Sequence, residues 1–295
     1  MTGPASAPEP RSARRRRFDW DNLALRIVSG LVLALAVLAA VWFFDARASL
    51  VLIAVAMSLL SYEWARMAAP TAWQRVAVVM TVALLTVLFL TYKANPHQDQ
   101  AQFNGHCVEL ALGAIPFGVA ATAFVSRGVT VRRLDAAYGV LYVAPAAMAL
   151  MWLRETPQGA GWTVMLFATT WAADICAFAV GNVLKGPKLW PRFSPNKTWS
   201  GFFGGLVGAS AAAVGVAALL MRLSLAGAAL IGLAAGLATM MGDLWESMLK
   251  RRFGVKDSGD LIPGHGGLLD RVDGLMFATL VFAAARLIVR LGWAH

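Results

Sequence analysis

The sequence predicts an all-α, polytopic transmembrane protein with about nine membrane-spanning helices. Three observations carry this. Of 295 residues, 59% are hydrophobic and 14% are charged, and the mean hydropathy is +0.63, whereas soluble domains carry about a quarter charged residues. Apolar runs long enough to cross a bilayer recur from Leu23 to Leu291 with no soluble-looking interval. The remaining polar residues gather between those runs, most densely in the segments 184–201 and 246–271. A soluble globular fold is excluded.

Residues 1–22, rich in Pro, Ala, Ser and Arg, are expected to form a disordered basic tail. The run Leu23 to Phe44 is too long for a signal-peptide core and lacks a small-residue cleavage site, so it is expected to persist as the first span. Further spans are expected at Leu50 to Trp64, Val76 to Tyr92, Val108 to Val125, Ala136 to Leu153, Trp162 to Val183, Phe202 to Met221, Leu225 to Trp245 and Val272 to Leu291. This divides the chain into N-terminal helices, 23–160, and a C-terminal region with polar loops, 161–295. Gly201 and Gly205, Gly204 and Gly208, and Gly232 and Gly236 stand four apart, a spacing that lets helix backbones approach closely. Cys107 and Cys176 have no metal-site or disulfide spacing and are expected to be packing residues.

Lys and Arg decide the orientation. With the N-terminus in the cytoplasm, Arg11, Arg14 to Arg17, Arg66, Arg75, Arg127, Arg132, Arg133, Lys185, Lys188, Arg192, Lys197, Lys250 to Arg252, Lys256 and Arg271 all fall inside, against Arg47, Lys93, Arg154, Arg222 and Arg290 outside. Both rich polar loops are then cytoplasmic and the C-terminus is external. The formal charge of +10 suits an anionic bilayer surface or a phosphate-bearing substrate. No nucleic-acid partner is expected.

Asp174 lies well inside the sixth span, where an ionised carboxylate is costly unless it is paired, hydrated or bound to a cation. It is a functional candidate, with a structural ion pair as the alternative. Asp243, Glu246, Ser247 and Lys250 follow helical spacing, so one face of the eighth helix carries carboxylates and then a cation. Beyond them Pro263-Gly264-His265-Gly266-Gly267 supplies a flexible turn whose backbone amides suit an anion. Asp270 and Asp273, three apart at a helix start, present hard oxygen ligands of the kind that suit Mg2+ together with substrate phosphates. Ser194-Pro195-Asn196-Lys197-Thr198-Trp199-Ser200 adds hydroxyls and a cation but matches neither a Walker A loop nor a dinucleotide fingerprint. An interfacial turn anchored by Trp190 and Trp199 explains it equally well. These residues describe a phosphate-handling membrane protein and go no further.

At these positions the chain resembles the phosphatidate cytidylyltransferases, or CDP-diacylglycerol synthases. That family's signature is Ser-x-hydrophobic-Lys-Arg, four residues, Lys-Asp, a short interval, His-Gly-Gly, then Asp-Arg-hydrophobic-Asp. Here it reads Ser247-Met248-Leu249-Lys250-Arg251, Lys256-Asp257, His265-Gly266-Gly267 and Asp270-Arg271-Val272-Asp273, with every fixed position met. Gly242-Asp243, Ser194-Pro195-x-Lys197-Thr198, the glycines at 201, 204 and 205, and Asp174 extend the resemblance over about residues 170–280. Ser200 departs from it, standing where relatives often carry Glu or Gln.

The resemblance implies transfer of CMP from CTP to phosphatidic acid, giving CDP-diacylglycerol and pyrophosphate in a bacterial inner membrane, with the site facing the cytoplasm. It implies Mg2+, with K+ as an assisting ion, and leaves a homodimer open. Asp243 and Asp270 become the leading metal ligands, with Asp273 and Asp174 behind them. Lys250, Lys256 and Arg271 join Asp243 and Asp270 as the catalytic set. Ser194, Lys197, Thr198, Arg251, Asp257, Gly264, His265, Gly266 and Gly267 become the substrate-binding set. The competing readings are a CTP-dependent enzyme on another membrane lipid, such as a polyprenol kinase or an ether-lipid cytidylyltransferase, and an ion-coupled transporter. A transporter of that kind predicts pseudo-symmetric halves, and the block from Asp243 to Asp273 has no second copy.

Overall fold

Hydrocarbon offers no partner to backbone N–H and C=O groups, so a spanning chain satisfies them within helices or a closed barrel, and continuous apolar runs of about 20 residues select helices. The computed structural model, which describes residues 35–94, 105–127, 133–191, 194–261 and 266–291, is built this way. The helical stretch 35–43 is α1. It is followed by α2 (Ala46–Ala68), α3 (Trp73–Ala94), α4 (Gly105–Val125), α5 (Arg133–Glu155) and α6 (Gly159–Leu184). A two-stranded antiparallel hairpin, β1 (Lys188–Trp190) and β2 (Ser194–Thr198), leads into α7 (Trp199–Leu220), α8 (Leu225–Phe253) and α9 (Leu269–Arg290). Among the described residues, α2 to α9 are eight helices long and apolar enough to cross a membrane. The helix α1 is the end of the first expected span, whose earlier part, with the basic tail, lies outside the described residues. Phe117, Phe178, Val207 and Leu219 are exposed on the outside of the bundle, as side chains that face lipid are.

Helix ends run past the apolar stretches wherever a polar residue closes them. The second helix, whose apolar run is short, starts at a cap: Asp45 accepts the N–H of Ala48 at 2.9 Å. The eighth continues two turns beyond Trp245, carrying Glu246 and Lys250 with it, and stops at Gly254. That residue adopts φ 76°, which a side chain disfavours. The segment 184–201, read from the sequence as a polar loop, is instead a hairpin pairing Lys188 with Thr198 and Trp190 with Ser194. The Thr198 hydroxyl then accepts from Gly201 N at 3.1 Å and starts α7.

The glycine stripes do what their spacing predicts. A methyl group at Gly201 would stand 2.7 Å from the Ala177 carbonyl oxygen, at Gly205 2.9 Å from that of Ala173, and at Gly208 2.9 Å from that of Ala172, so α7 lies directly on α6. Gly232 faces the Ala209 carbonyl at the same kind of distance, 2.7 Å, and brings α8 onto α7. One buried cluster, with Trp64, Met80, Leu84 and Met151, joins α2, α3 and α5 and includes Leu269 and Met276 of α9. A second, with Trp162, Leu166, Ala213 and Phe282, joins α6 to α9 and includes Leu153 of α5. Helices α5 and α9 therefore belong to both, and contacts cross residue 160 throughout.

Because α8 alone separates Arg222 from Asp257, and both side chains are exposed, they are expected on opposite faces of the membrane. Cysteines placed there, in a background lacking Cys107 and Cys176, should react with an impermeant maleimide from opposite sides of sealed inside-out vesicles, Asp257→Cys from the cytoplasmic one. Labelling of both from one side would remove α8 as a span.

Candidate active site at the ends of α8 and α9

On α8, Asp243, Glu246 and Lys250 fall at spacings of three and four and share a face. The Lys250 ammonium lies between two carboxylates, 2.6 Å from Glu246 Oε2 and 2.7 Å from Asp270 Oδ1 of α9. All three side chains are largely withdrawn from solvent, Glu246 almost completely. Asp270 Oδ2 also accepts the backbone N–H groups of Ser258 at 3.1 Å and Gly267 at 3.2 Å. The connection between α8 and α9 is thereby folded back on the carboxylate that opens α9.

A second group forms one turn further into the bundle. Lys197 reaches from β2 and donates to Asp243 Oδ2. The side chain of Asp174 on α6 is exposed and lies in the field of Asp243, Lys197 and Arg271. Asp273 lies in the field of Asp243, Asp174 and Lys197, and its Oδ1 accepts from Gly274 N at 2.7 Å. Two glycines permit this arrangement. A methyl group at Gly242 would stand 2.6 Å from the Asp273 carbonyl oxygen, and one at Gly274 would stand 2.9 Å from that of Thr239.

The two groups differ in what they leave open. Both oxygens of Asp270 already have donors, whereas Asp174, Asp243 and Asp273 are three carboxylates in the field of two cations, Lys197 and Arg271. Among the described residues no three acidic, imidazole or thiol side chains converge into a finished metal cage. Hard oxygen donors with surplus negative charge, one of them exposed, nonetheless fit a cation that retains water and shares its ligands with phosphates. The surrounding cations, Lys197, Lys250 and Arg271, suit phosphate oxygens in turn.

Residues 24–289 match the family model described as the cytidylyltransferase family. The chain belongs to the cytidylyltransferase family. Among similar proteins, the phosphatidate cytidylyltransferase of Brucella suis is 38% identical over 267 residues, covering 88% of this chain and 91% of that protein. The one from Pseudomonas aeruginosa is 35% identical over 286 residues, covering 92% and 98%. That of Staphylococcus epidermidis is 37% identical over 146 residues, about half of each chain.

Within this cytidylyltransferase-family chain, the positions singled out by sequence are sorted unevenly. Asp174, Lys197, Asp243, Arg271 and Asp273 make up the open group, and Lys250, Asp270 and Gly267 the closed one. Thr198 is a helix cap, within 3.0 Å of the Ser200 hydroxyl, which itself donates to the Lys185 carbonyl. Ser194 sits opposite Trp190 in the hairpin. Arg251 turns to the Val255 carbonyl at 3.5 Å, and the exposed Lys256 and Asp257 stand outside both groups. Gly266 adopts φ 83°, and Gly264 and His265 lie outside the described residues. Three acidic residues absent from the expected site sets reach it. These are Glu246, Glu63 of α2, and Asp135 of α5, which pairs with Arg252 through Nε at 3.1 Å and a second bond. Glu63 carried a usable signal, an ionisable residue inside an apolar run.

Removing the cation between Glu246 and Asp270 leaves two buried carboxylates without it, a change that typically costs about 3–5 kcal/mol. Lys250→Met is therefore expected to lower the unfolding midpoint in detergent markedly, while Lys256→Met at an exposed position changes stability by about 0.5 kcal/mol or less. Equal midpoints for the two variants would remove the structural role assigned to Lys250.

Proposed function

We propose that the chain is a phosphatidate cytidylyltransferase of a bacterial inner membrane, with its site at the cytoplasmic edge. The observation that carries this is identity of 35% and 38% to relatives of that name over nearly the whole chain. The placement of Lys197, Asp243, Lys250, Asp270 and Arg271 together at one end of α8 and α9 supports it. A phosphate oxygen of phosphatidic acid bonds to the α-phosphorus of CTP as the bond from that phosphorus to the β-phosphate oxygen breaks, releasing pyrophosphate and leaving CDP-diacylglycerol. Such transfer depends on positioning and charge neutralisation, and the lipid phosphate is already ionised near neutral pH.

In this reading the lipid phosphate reaches the open group on α6, α8 and α9 laterally at interface depth, and the nucleotide comes from the aqueous side. Lys197 and Arg271 neutralise phosphate oxygens there. Asp243, Asp273 and Asp174 would hold Mg2+, with K+ as an auxiliary ion, and the metal supplies charge neutralisation on phosphate oxygens. Asp270 is assigned to holding Lys250 and the glycine turn. Assembly as a homodimer rests on the family resemblance.

Purified protein given labelled CTP and phosphatidic acid is expected to form CDP-diacylglycerol only with Mg2+ present. Product that instead carries CTP-derived phosphate on a polyprenol would overturn the assignment. Asp243→Asn should lower single-turnover rate by at least about a hundredfold, or about 2.7 kcal/mol, with the unfolding midpoint retained. Asp270→Asn should lower both rate and midpoint, because Lys250 loses a charged partner. Ser200→Ala, removing the hydrogen bonds to the Lys185 carbonyl and the Thr198 hydroxyl, should cost about tenfold or less. Wild-type turnover for Asp243→Asn at saturating Mg2+ would exclude it as a ligand.

A further inference from the structure

We propose that Glu63 is a positioning residue for this transfer: from α2 its carboxylate holds the glycine turn and the start of α9, and through them sets Asp270 against Lys250. This deepens the functional reading above and rests on it for its kinetic arm. Glu63 is 1% exposed. Its Oε1 accepts the N–H of Leu268 and its Oε2 that of Leu269, each at 2.7 Å, and Ser258 Oγ donates to Oε2 at 3.4 Å. The first N–H groups of a helix have no partner within it, and α9 has no side-chain cap of its own at Leu268. A carboxylate from another helix fills that role, with the sign of charge that a helix N-terminus favours.

The glycines of the turn are shaped to this carboxylate. A methyl group at Gly259 would lie 3.2 Å from Glu63 Oε1. One at Gly267 would lie 1.9 Å from Ser258 Oγ and 2.9 and 3.0 Å from the two Glu63 oxygens. Close approach first to the Ser258 hydroxyl and then to Glu63 thus accounts for Gly267 being a glycine. The amides of residues 267, 268 and 269 are all taken by Asp270 or Glu63, so this end of the turn binds the protein's own carboxylates and not a triphosphate. Ser258 links the two, its N–H on Asp270 and its hydroxyl on Glu63. A displacement of Glu63 therefore propagates through the start of α9 to Asp270 and then to Lys250.

Glu63→Gln tests this in the full chain, because the amide keeps the shape but presents an NH2 group to one of the two donors. Its kcat is expected to fall at least about tenfold while KM for CTP moves by less than about threefold, with a lowered but cooperative unfolding transition, since one buried donor loses its acceptor. Amide hydrogen exchange at Leu268 and Leu269 should accelerate by about tenfold or more, with the 276–282 part of α9 unchanged. Glu63→Asp, which keeps the charge one methylene further away, should recover an intermediate kcat. Wild-type kcat per folded molecule, or unchanged exchange at Leu268 and Leu269, overturns the proposal. If Glu63→Gln does not fold, Glu63→Asp decides by the same two readouts, faster exchange and lowered kcat being expected. Exchange is measured without substrate, so failure of this proposal is distinct from a wild-type chain that forms no CDP-diacylglycerol.

Discussion

The ammonium of Lys250, held between Glu246 one helical turn before it and Asp270 on the following helix, is the interaction around which the polar end of the bundle is organised. Charges at this depth are tolerated only when paired, and here one cation answers two carboxylates on different helices. The pairing fixes how far α9 is displaced along α8. With that register set, Gly242 meets the backbone of Asp273 and Gly274 meets that of Thr239, so Asp243 and Asp273 come side by side. The open carboxylate group is thus a consequence of the closed one.

The open group also needs Asp174 and Lys197, which neither α8 nor α9 supplies. Close packing of α7 on α6 through Gly201, Gly205 and Gly208 sets the first of these distances, and the same α7 carries Gly232 of α8 against Ala209. Lys197 arrives one residue before the Thr198 cap that starts α7. Small residues therefore act at a distance from the chemistry: each absent side chain shortens a helix-to-helix spacing that ends at a charged group. A bulky residue at Gly205 would meet Met240 and the Ala173 carbonyl and would separate Asp174 from Asp243.

Much of this was legible because the signals are local. Apolar runs located α2 to α9, helical spacing put Asp243, Glu246 and Lys250 on one face, and glycines four apart marked the contacts among α6, α7 and α8. The hairpin 188–198 was not legible, since its strands are short, polar and interrupted by Pro195, and its pairing is set by where α6 stops and α7 is capped. The sorting of aspartates was equally hidden. Asp270 and Asp273 lie three apart and look like a pair, yet Asp270 turns to Lys250 and the loop amides while Asp273 accepts from Gly274 N and lies in the field of Asp243. Which neighbour a carboxylate faces depends on the crossing of two helices, and no spacing within one helix encodes it.

Long-range pairs also decide how the N-terminal helices relate to the chemistry. Read as sequence, residues before 160 offered spans, an orientation and one isolated carboxylate, Glu63, with no partner for it. In the fold, Glu63 caps α9, Asp135 takes both arms of Arg252 at the end of α8, and Trp64 Nε1 donates to the Asp135 and Ala136 carbonyls at 3.2 Å while its ring meets Phe253 edge-on. Trp245 Nε1 donates to the Tyr138 hydroxyl at 3.1 Å, and Tyr142, stacked on Tyr138, lies in the field of Asp243, Glu246 and Asp273. These contacts bring α2 and α5 to the polar end of α8, a helix that α6 and α7 also touch. Held on two flanks, α8 and α9 have little freedom to rotate, and rotation is what would carry Asp243 and Asp273 apart. The N-terminal helices thus supply rigidity to a site whose charged groups come almost entirely from the other half, which is the division of labour that preorganised electrostatics requires.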